Sequence, residues 1–214
     1  MKVVGVGCGP GMLTEQAIVA ISGTSMIYGS KRAISLAAAH IPDGCIVREM
    51  TTFQPENLQI PDDAVVLSTG DPQLSGLGYL GGEVIPGISS LQVAAAKLGI
   101  PLEKVSVVVA HGKEHERALD QISTEVDREK IVFIIADPKF SVTALASALA
   151  GCGKGIYVAV CENLGYPDER IRIGALSDPP LPLSRLFSVM VGRIDLSRQN
   201  CQTSEEHIRE QGIP

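Results

Sequence analysis

A chain of 214 residues, 45% hydrophobic and 20% charged, holds enough apolar material for one large core or two smaller ones, which excludes an intrinsically disordered protein. A formal net charge of −6 with no basic run excludes general nucleic-acid binding, and the lack of Trp, with aromatics at 4%, leaves few rings for base stacking. No apolar stretch approaches the roughly 18 residues of a membrane span, and Met1-Lys2 leads into a strand pattern without a signal-peptide core, so the expected compartment is the cytoplasm.

Lys2 to Val6 is a short apolar run followed by Gly5-Val6-Gly7-Cys8-Gly9-Pro10-Gly11. Thr14 then caps a predicted helix with Ala17, Ile18 and Ile21 on one face, so the chain opens as strand, glycine loop, helix. Met26 to Tyr28 is a second strand, Ser30 to His40 a helix stopped by Pro42, and Cys45 to Met50 a third strand; a polar connection fills Thr51 to Asp63. Two central apolar runs end abruptly, Ala64 to Leu67 in Ser68-Thr69-Gly70-Asp71-Pro72, and Val84-Ile85 in Pro86-Gly87-Ile88-Ser89-Ser90. Both read as buried strands, and Ser90 caps a helix reaching Leu98.

The second half repeats the alternation on a new core. Val105 to Ala110 is a strand ending in His111-Gly112-Lys113, and Glu114 to Ile122 is a charged surface helix. Ile131 to Ala136 is a strand leading to Asp137-Pro138, with an Ala-rich helix over Ser141 to Ala150. Ile156 to Cys161 is a strand ending at Glu162, and Ile171 to Ile173 with Phe187 to Ile194 form a closing antiparallel pair. The expected domains are 1–102 and 103–196, followed by a polar tail over 197–214.

In open parallel sheets, ligands sit beyond the carboxyl ends of the strands. Three polar, glycine-containing turns at such ends therefore make a candidate floor for a small-molecule site. The first turn fits no nucleotide motif: a G-x-G-x-x-G reading from Gly5 ends on Pro10, and one from Gly7 ends on Met12. The second strand ends in Tyr28-Gly29-Ser30-Lys31 with no carboxylate for a ribose. Neither Gly112-Lys113 nor Gly153-Lys154 has the earlier glycine of a P-loop. Pro10 offers no N–H, so the loop suits close approach to an uncharged or cationic ligand better than a phosphate; a plain tight turn is the alternative. Five cysteines, at 8, 45, 152, 161 and 201, form no CxxC pair, and no metal site is expected.

Taken in order, Gly7-Cys8-Gly9-Pro10-Gly11, Gly70-Asp71-Pro72 and Pro86-Gly87-Ile88-Ser89-Ser90, with Val108 to Lys113 and Cys161 to Arg170, resemble the tetrapyrrole (corrin/porphyrin) methylase family over about residues 1 to 195. His111-Gly112-Lys113 and Glu162 to Ile171 are most similar to its branch that methylates carbon 5 of a cobalt-precorrin in anaerobic cobalamin synthesis. The resemblance implies a two-domain α/β class III methyltransferase fold of mixed sheets, with S-adenosylmethionine in the cleft between domains and a homodimer as the usual assembly. It further implies cofactor contacts at Pro10, Thr69, Gly70, Asp71, Leu74, Ser89 and Ser90, with Ala136, Asp137 and the turn around Glu162 closing the pocket. Two departures stand out: Met12 where an acid often follows the glycine loop, and a short, glycine-rich segment after Pro72 that bears on Leu74.

Methyl transfer from a sulfonium needs alignment and no metal or covalent intermediate, and no triad or ligand cluster is visible. Asp71 is open to two roles, a neighbour of the sulfonium or an Asx-turn bonding its own backbone. A carboxylate-rich ring calls for basic groups, and Lys31, Arg32, Lys113, Arg117 and Arg170 lie on or just after strand ends, where each is also open to being a solvated surface charge. His111 is a candidate to steer a carboxylate or take the proton lost on methylation, or else a turn histidine; Glu162 serves the site or caps a turn. The rival functions are another precorrin or uroporphyrinogen methyltransferase, and a non-catalytic corrinoid-binding protein. A separate enzyme for C15 methylation and decarboxylation is an expected partner.

Overall fold

The computed structural model describes residues 1–54, 59–111 and 115–198. By internal contacts the described residues form two compact units, one of residues 1–93 with 163–169 and one of 94–162 with 170–198.

In the first unit, β1 (Lys2–Gly5), β2 (Met26–Gly29), β3 (Ile46–Glu49), β4 (Val65–Ser68) and β5 (Glu83–Ile85) form one sheet of order β3-β2-β4-β1-β5. Every pairing is parallel. A parallel sheet is covered on both faces, and its strands read as continuous apolar runs. Accordingly Val4, Val65, Leu67 and Ile85 pack on one side with Ala17 and Ile21 of α1 (Glu15–Ser22) and Ala33 and Ala37 of α2 (Lys31–Ala37). Val3 and Val66 face the other side with Met50, Leu77 and Leu80. Both helices start where the sequence places a cap: Thr14 accepts the Ala17 amide at 3.1 Å and Ser30 the Ala33 amide at 3.2 Å.

The next helix, α3 (Ser90–Leu98), begins one residue after its cap. That cap is Ser89, not Ser90: the Ser89 hydroxyl accepts the Gln92 amide at 3.2 Å, and Gln92 Oε1 accepts the Ser89 amide at 2.8 Å. This reciprocal box uses a Ser-x-x-Gln spacing.

In the second unit, β6 (Val105–Ala110) and β7 (Ile131–Ala136) are parallel, and β10 (Phe187–Gly192) runs antiparallel to both β7 and β8 (Tyr157–Glu162). Strand β9 (Arg170–Ala175) pairs with β8, giving the order β6-β7-β10-β8-β9. The expected β9–β10 pair is therefore replaced: β8 lies between them, because its Val158, Ala159 and Val160 are all fully buried and it occupies the interior of the sheet. Helix α4 (His115–Asp127) continues past Ile122, since Val126 extends the buried stripe of Ala118 and Ile122. Ser141 caps α5 (Val142–Ala148) through the Ala144 amide.

Candidate functional site

The exits of β1, β4 and β5 meet. The Val6 amide donates to the Ser68 carbonyl at 2.9 Å, the Gly70 amide to the Gly7 carbonyl at 2.8 Å, and the Cys8 amide to the Ile88 carbonyl at 3.0 Å. All three turns singled out in the sequence are thus joined backbone to backbone. The approach is too close for side chains. A Cβ on Gly87 would stand 2.3 Å from the Gly70 carbonyl oxygen and 2.8 Å from Gly5 Cα, and one on Gly5 would stand 2.5 Å from the Gly87 nitrogen. Glycine at 5 and 87 is what lets the strand ends converge.

Asp71 locks this junction. Its Oδ1 accepts the Gln73 amide at 2.7 Å, an Asx-turn, and its Oδ2 accepts the Gly87 amide at 3.0 Å. Ser89, 4% exposed, commits its hydroxyl to Gln92 and reaches the site only as backbone. Thr69 and Ser90 are half-buried at the same end of the sheet, and Pro10 is exposed. The Leu74 amide bonds the Asp71 carbonyl at 3.1 Å. Beyond it the short glycine-rich segment folds back on the turn, the Ser68 hydroxyl accepting the Leu77 amide at 3.1 Å.

Residues 163–169 supply a second layer behind the glycine loop. The Cys8 thiol faces the Leu164 carbonyl at 3.8 Å and Met12 Sδ at 3.6 Å, and a Cβ on Gly9 would lie 2.7 Å from Gly165 backbone. Burial pushes the Cys8 thiol up, although the nearby Arg32 charge opposes it. Met12, the departure from the usual acid, fills the space between Gly7 and Gly165. Arg32 donates to the Cys8 carbonyl at 3.3 Å and lies 6.0 Å from the Tyr166 ring centre. Lys31, beside it, is exposed. Tyr166 and Glu169, whose carboxylate accepts the Gly165 amide at 2.7 Å, lie in the Cys161 to Arg170 stretch that carries the resemblance but were not among the candidate site residues.

In the second unit, the Asp137 amide donates to the Ala110 carbonyl at 3.2 Å, joining the ends of β6 and β7; Ala136, just before it, is half-buried. Asp137 forms its own Asx-turn to the Lys139 amide and pairs with His115 Nε2 at 3.2 Å. His115 also meets Phe140 edge to face, and nothing in its helical setting announces this. His111 is exposed directly beyond β6, Arg117 is exposed on α4, and Lys113 lies outside the described residues.

Glu162 is fully buried and saturated. Oε2 accepts from Arg170 Nε at 3.0 Å and Arg172 Nη2 at 3.1 Å, while Oε1 accepts the Leu183 and Ser184 amides at 2.6 Å each. Burial alone would raise its pKa, but these four donors prevail and hold the carboxyl below its ordinary value. Such a group caps the loop before β10, the second of the two roles open to it, and is poorly disposed to take up a proton. Arg172 is legible in retrospect: strand alternation puts it on the Arg170 side of β9. Among the described residues no cluster of three or more metal-ligating side chains occurs, and no helix is long and apolar enough to cross a membrane.

Three comparisons bear on this geometry. The family described as Tetrapyrrole (Corrin/Porphyrin) Methylases matches residues 2–180. A probable cobalt-precorrin-7 C(5)-methyltransferase of Methanocaldococcus jannaschii is 32% identical over 191 residues, covering 81% of this chain and 89% of the relative. A cobalt-precorrin-7 C(5)-methyltransferase of Salmonella typhimurium is 26% identical over 80% of this chain and 88% of its own length. The crystal structure of a precorrin-6Y methylase from Archaeoglobus fulgidus superposes with a TM-score of 0.70 at 30% identity, over 90% of this chain and 97% of that one.

Proposed function

The chain belongs to the tetrapyrrole (corrin/porphyrin) methylase family, and from that premise we propose that it is an S-adenosylmethionine-dependent C-methyltransferase of cobalamin biosynthesis, acting at carbon 5 of cobalt-precorrin-7. The single observation that carries the reading is the junction of Gly7, Gly70 and Ile88 with Asp71 bridging to Gly87. The named activities of the Methanocaldococcus and Salmonella relatives support the choice of ring carbon.

The junction's chemistry fits the donor. Its walls are neutral backbone, the loop tip at Pro10 has no N–H to offer a phosphate, and the Cβ direction of Gly70 meets only Ser89 Cα at 3.8 Å, leaving room beside the turn. S-adenosylmethionine, when bound, supplies an electrophilic methyl group on a sulfonium. Pro10, Thr69, Gly70, Leu74 and Ser90 would hold it. Asp71 fixes the two turns relative to each other and adds one negative charge near a cationic donor. His111, exposed at the end of β6, is the residue proposed to accept the proton released on methylation. Cobalt belongs to the substrate. A cytoplasmic homodimer accompanies the reading.

Incubation with labelled S-adenosylmethionine and a panel of precorrins, followed by mass and NMR analysis, tests it: label at C5 of cobalt-precorrin-7 is expected. Label at another ring position would transfer the protein to a different step, and corrinoid binding without measurable S-adenosylmethionine affinity would make it a silent carrier.

A further inference from the structure

The loop between β9 and β10 holds leucines out to solvent on a rigid base. Leu181 is 52% and Leu183 69% exposed, within Pro179-Pro180-Leu181-Pro182-Leu183. Single exposed leucines are ordinary on soluble proteins; the support beneath these two is not. Glu162 accepts both the Leu183 and Ser184 amides, Arg172 donates to the Leu181 carbonyl, and prolines fix φ on either side of Leu181. A fully buried carboxylate is unfavourable unless completely paired, yet here it stiffens a loop whose leucines gain little burial within the chain. Rigidity of this kind lowers the ordering loss when a ligand covers the leucines.

The flanks carry charge. Arg170 and Arg172, with side chains 43% and 34% exposed, share the one Glu162 carboxylate, so these three groups together carry one net positive charge at the foot of the loop. Apolar prongs next to part-exposed guanidinium groups match an amphipathic ligand that is apolar on its faces and carboxylated at its rim. We propose that Leu181 and Leu183 carry the apolar face of the macrocyclic substrate while Arg170 and Arg172 meet its rim carboxylates. The proposal rests on the methyltransferase reading and adds to it the residues that select a carboxylated ring.

The test uses the full chain and two corrinoid probes, cobyrinic acid with free rim carboxylates and a counterpart with those groups amidated, titrated by absorbance. Leu181→Ser/Leu183→Ser is expected to raise the cobyrinic acid Kd about tenfold or more, with S-adenosylmethionine affinity and circular dichroism unchanged; Leu181→Ala alone gives a smaller loss in the same direction. Arg170→Gln should narrow the preference for the carboxylated probe. An unchanged Kd in the double variant, beside a wild type that binds both ligands, overturns the leucine assignment alone. So does a fall in molar mass by light scattering with Kd intact, which would give these leucines to a second copy of the chain. A wild type that binds neither ligand overturns the methyltransferase reading, and the assignment with it.

Discussion

Asp71 and Gly87 face each other across the exits of β4 and β5, the carboxylate Oδ2 accepting the Gly87 amide at 3.0 Å while Oδ1 holds the Gln73 amide at 2.7 Å. Asp71 thereby ties two turns together at once. Asp71→Ala leaves the buried Gly87 amide without its acceptor and should lower stability by about 1–3 kcal/mol and weaken S-adenosylmethionine binding about tenfold. Calorimetry beside urea unfolding separates the two effects; full affinity in a folded variant would remove Asp71 from the site.

Glycines inside and outside the junction should divide sharply by what surrounds them. Gly87→Ala drives a Cβ to within 2.3 Å of the Gly70 carbonyl, and backbone cannot rotate away as a side chain can. A loss of about 3 kcal/mol or more is expected, at the top of the overpacking range. Gly151→Ala meets nothing within 4 Å and should stay within about 0.5 kcal/mol of the parent. Equal melting temperatures for the two variants would contradict the backbone packing described.

Ser89 and Ser90 are adjacent and chemically identical, yet only Ser89 closes the capping box with Gln92. Ser89→Ala should cost about 1 kcal/mol of stability, with Ser90→Ala close to neutral in the same denaturation experiment. The reverse order would move the cap to Ser90.

Glu162 makes stability pH-dependent. Its folded pKa lies below the ordinary value of 4.5, so its contribution is complete above that value and is lost as pH falls through the folded pKa. Unfolding titrations in the acid range should show this decline, and Glu162→Gln should flatten it while destabilising the protein by roughly 1–3 kcal/mol at neutral pH, because two part-exposed guanidinium groups lose their charge partner. A Gln variant as stable as the parent would mean that Arg170 and Arg172 draw no stability from the Glu162 charge.

His111→Ala separates proton transfer from cofactor binding. Turnover should fall about a hundredfold or more while S-adenosylmethionine affinity holds. Unaltered turnover would reduce His111 to a turn residue.

What the sequence alone determined is local. Continuous apolar runs stopped by turn formers and apolar helix faces located nearly every strand and helix, Thr14, Ser30 and Ser141 announced their helices, and the three glycine turns carried the family resemblance, because each depends on neighbours a few residues away. The order of the second sheet was not accessible: β9 and β10 looked like partners by sequence, and only packing put the fully buried β8 between them. The roles of polar groups were equally hidden. Asp71 stays open between a ligand neighbour and a turn former until Gly87, 16 residues on, is found at its second oxygen, and Glu162 stays open between serving the site and capping a turn until Arg170, Arg172, Leu183 and Ser184 surround it. Burial demands that such groups be satisfied, but which distant donor satisfies them is set by tertiary contact.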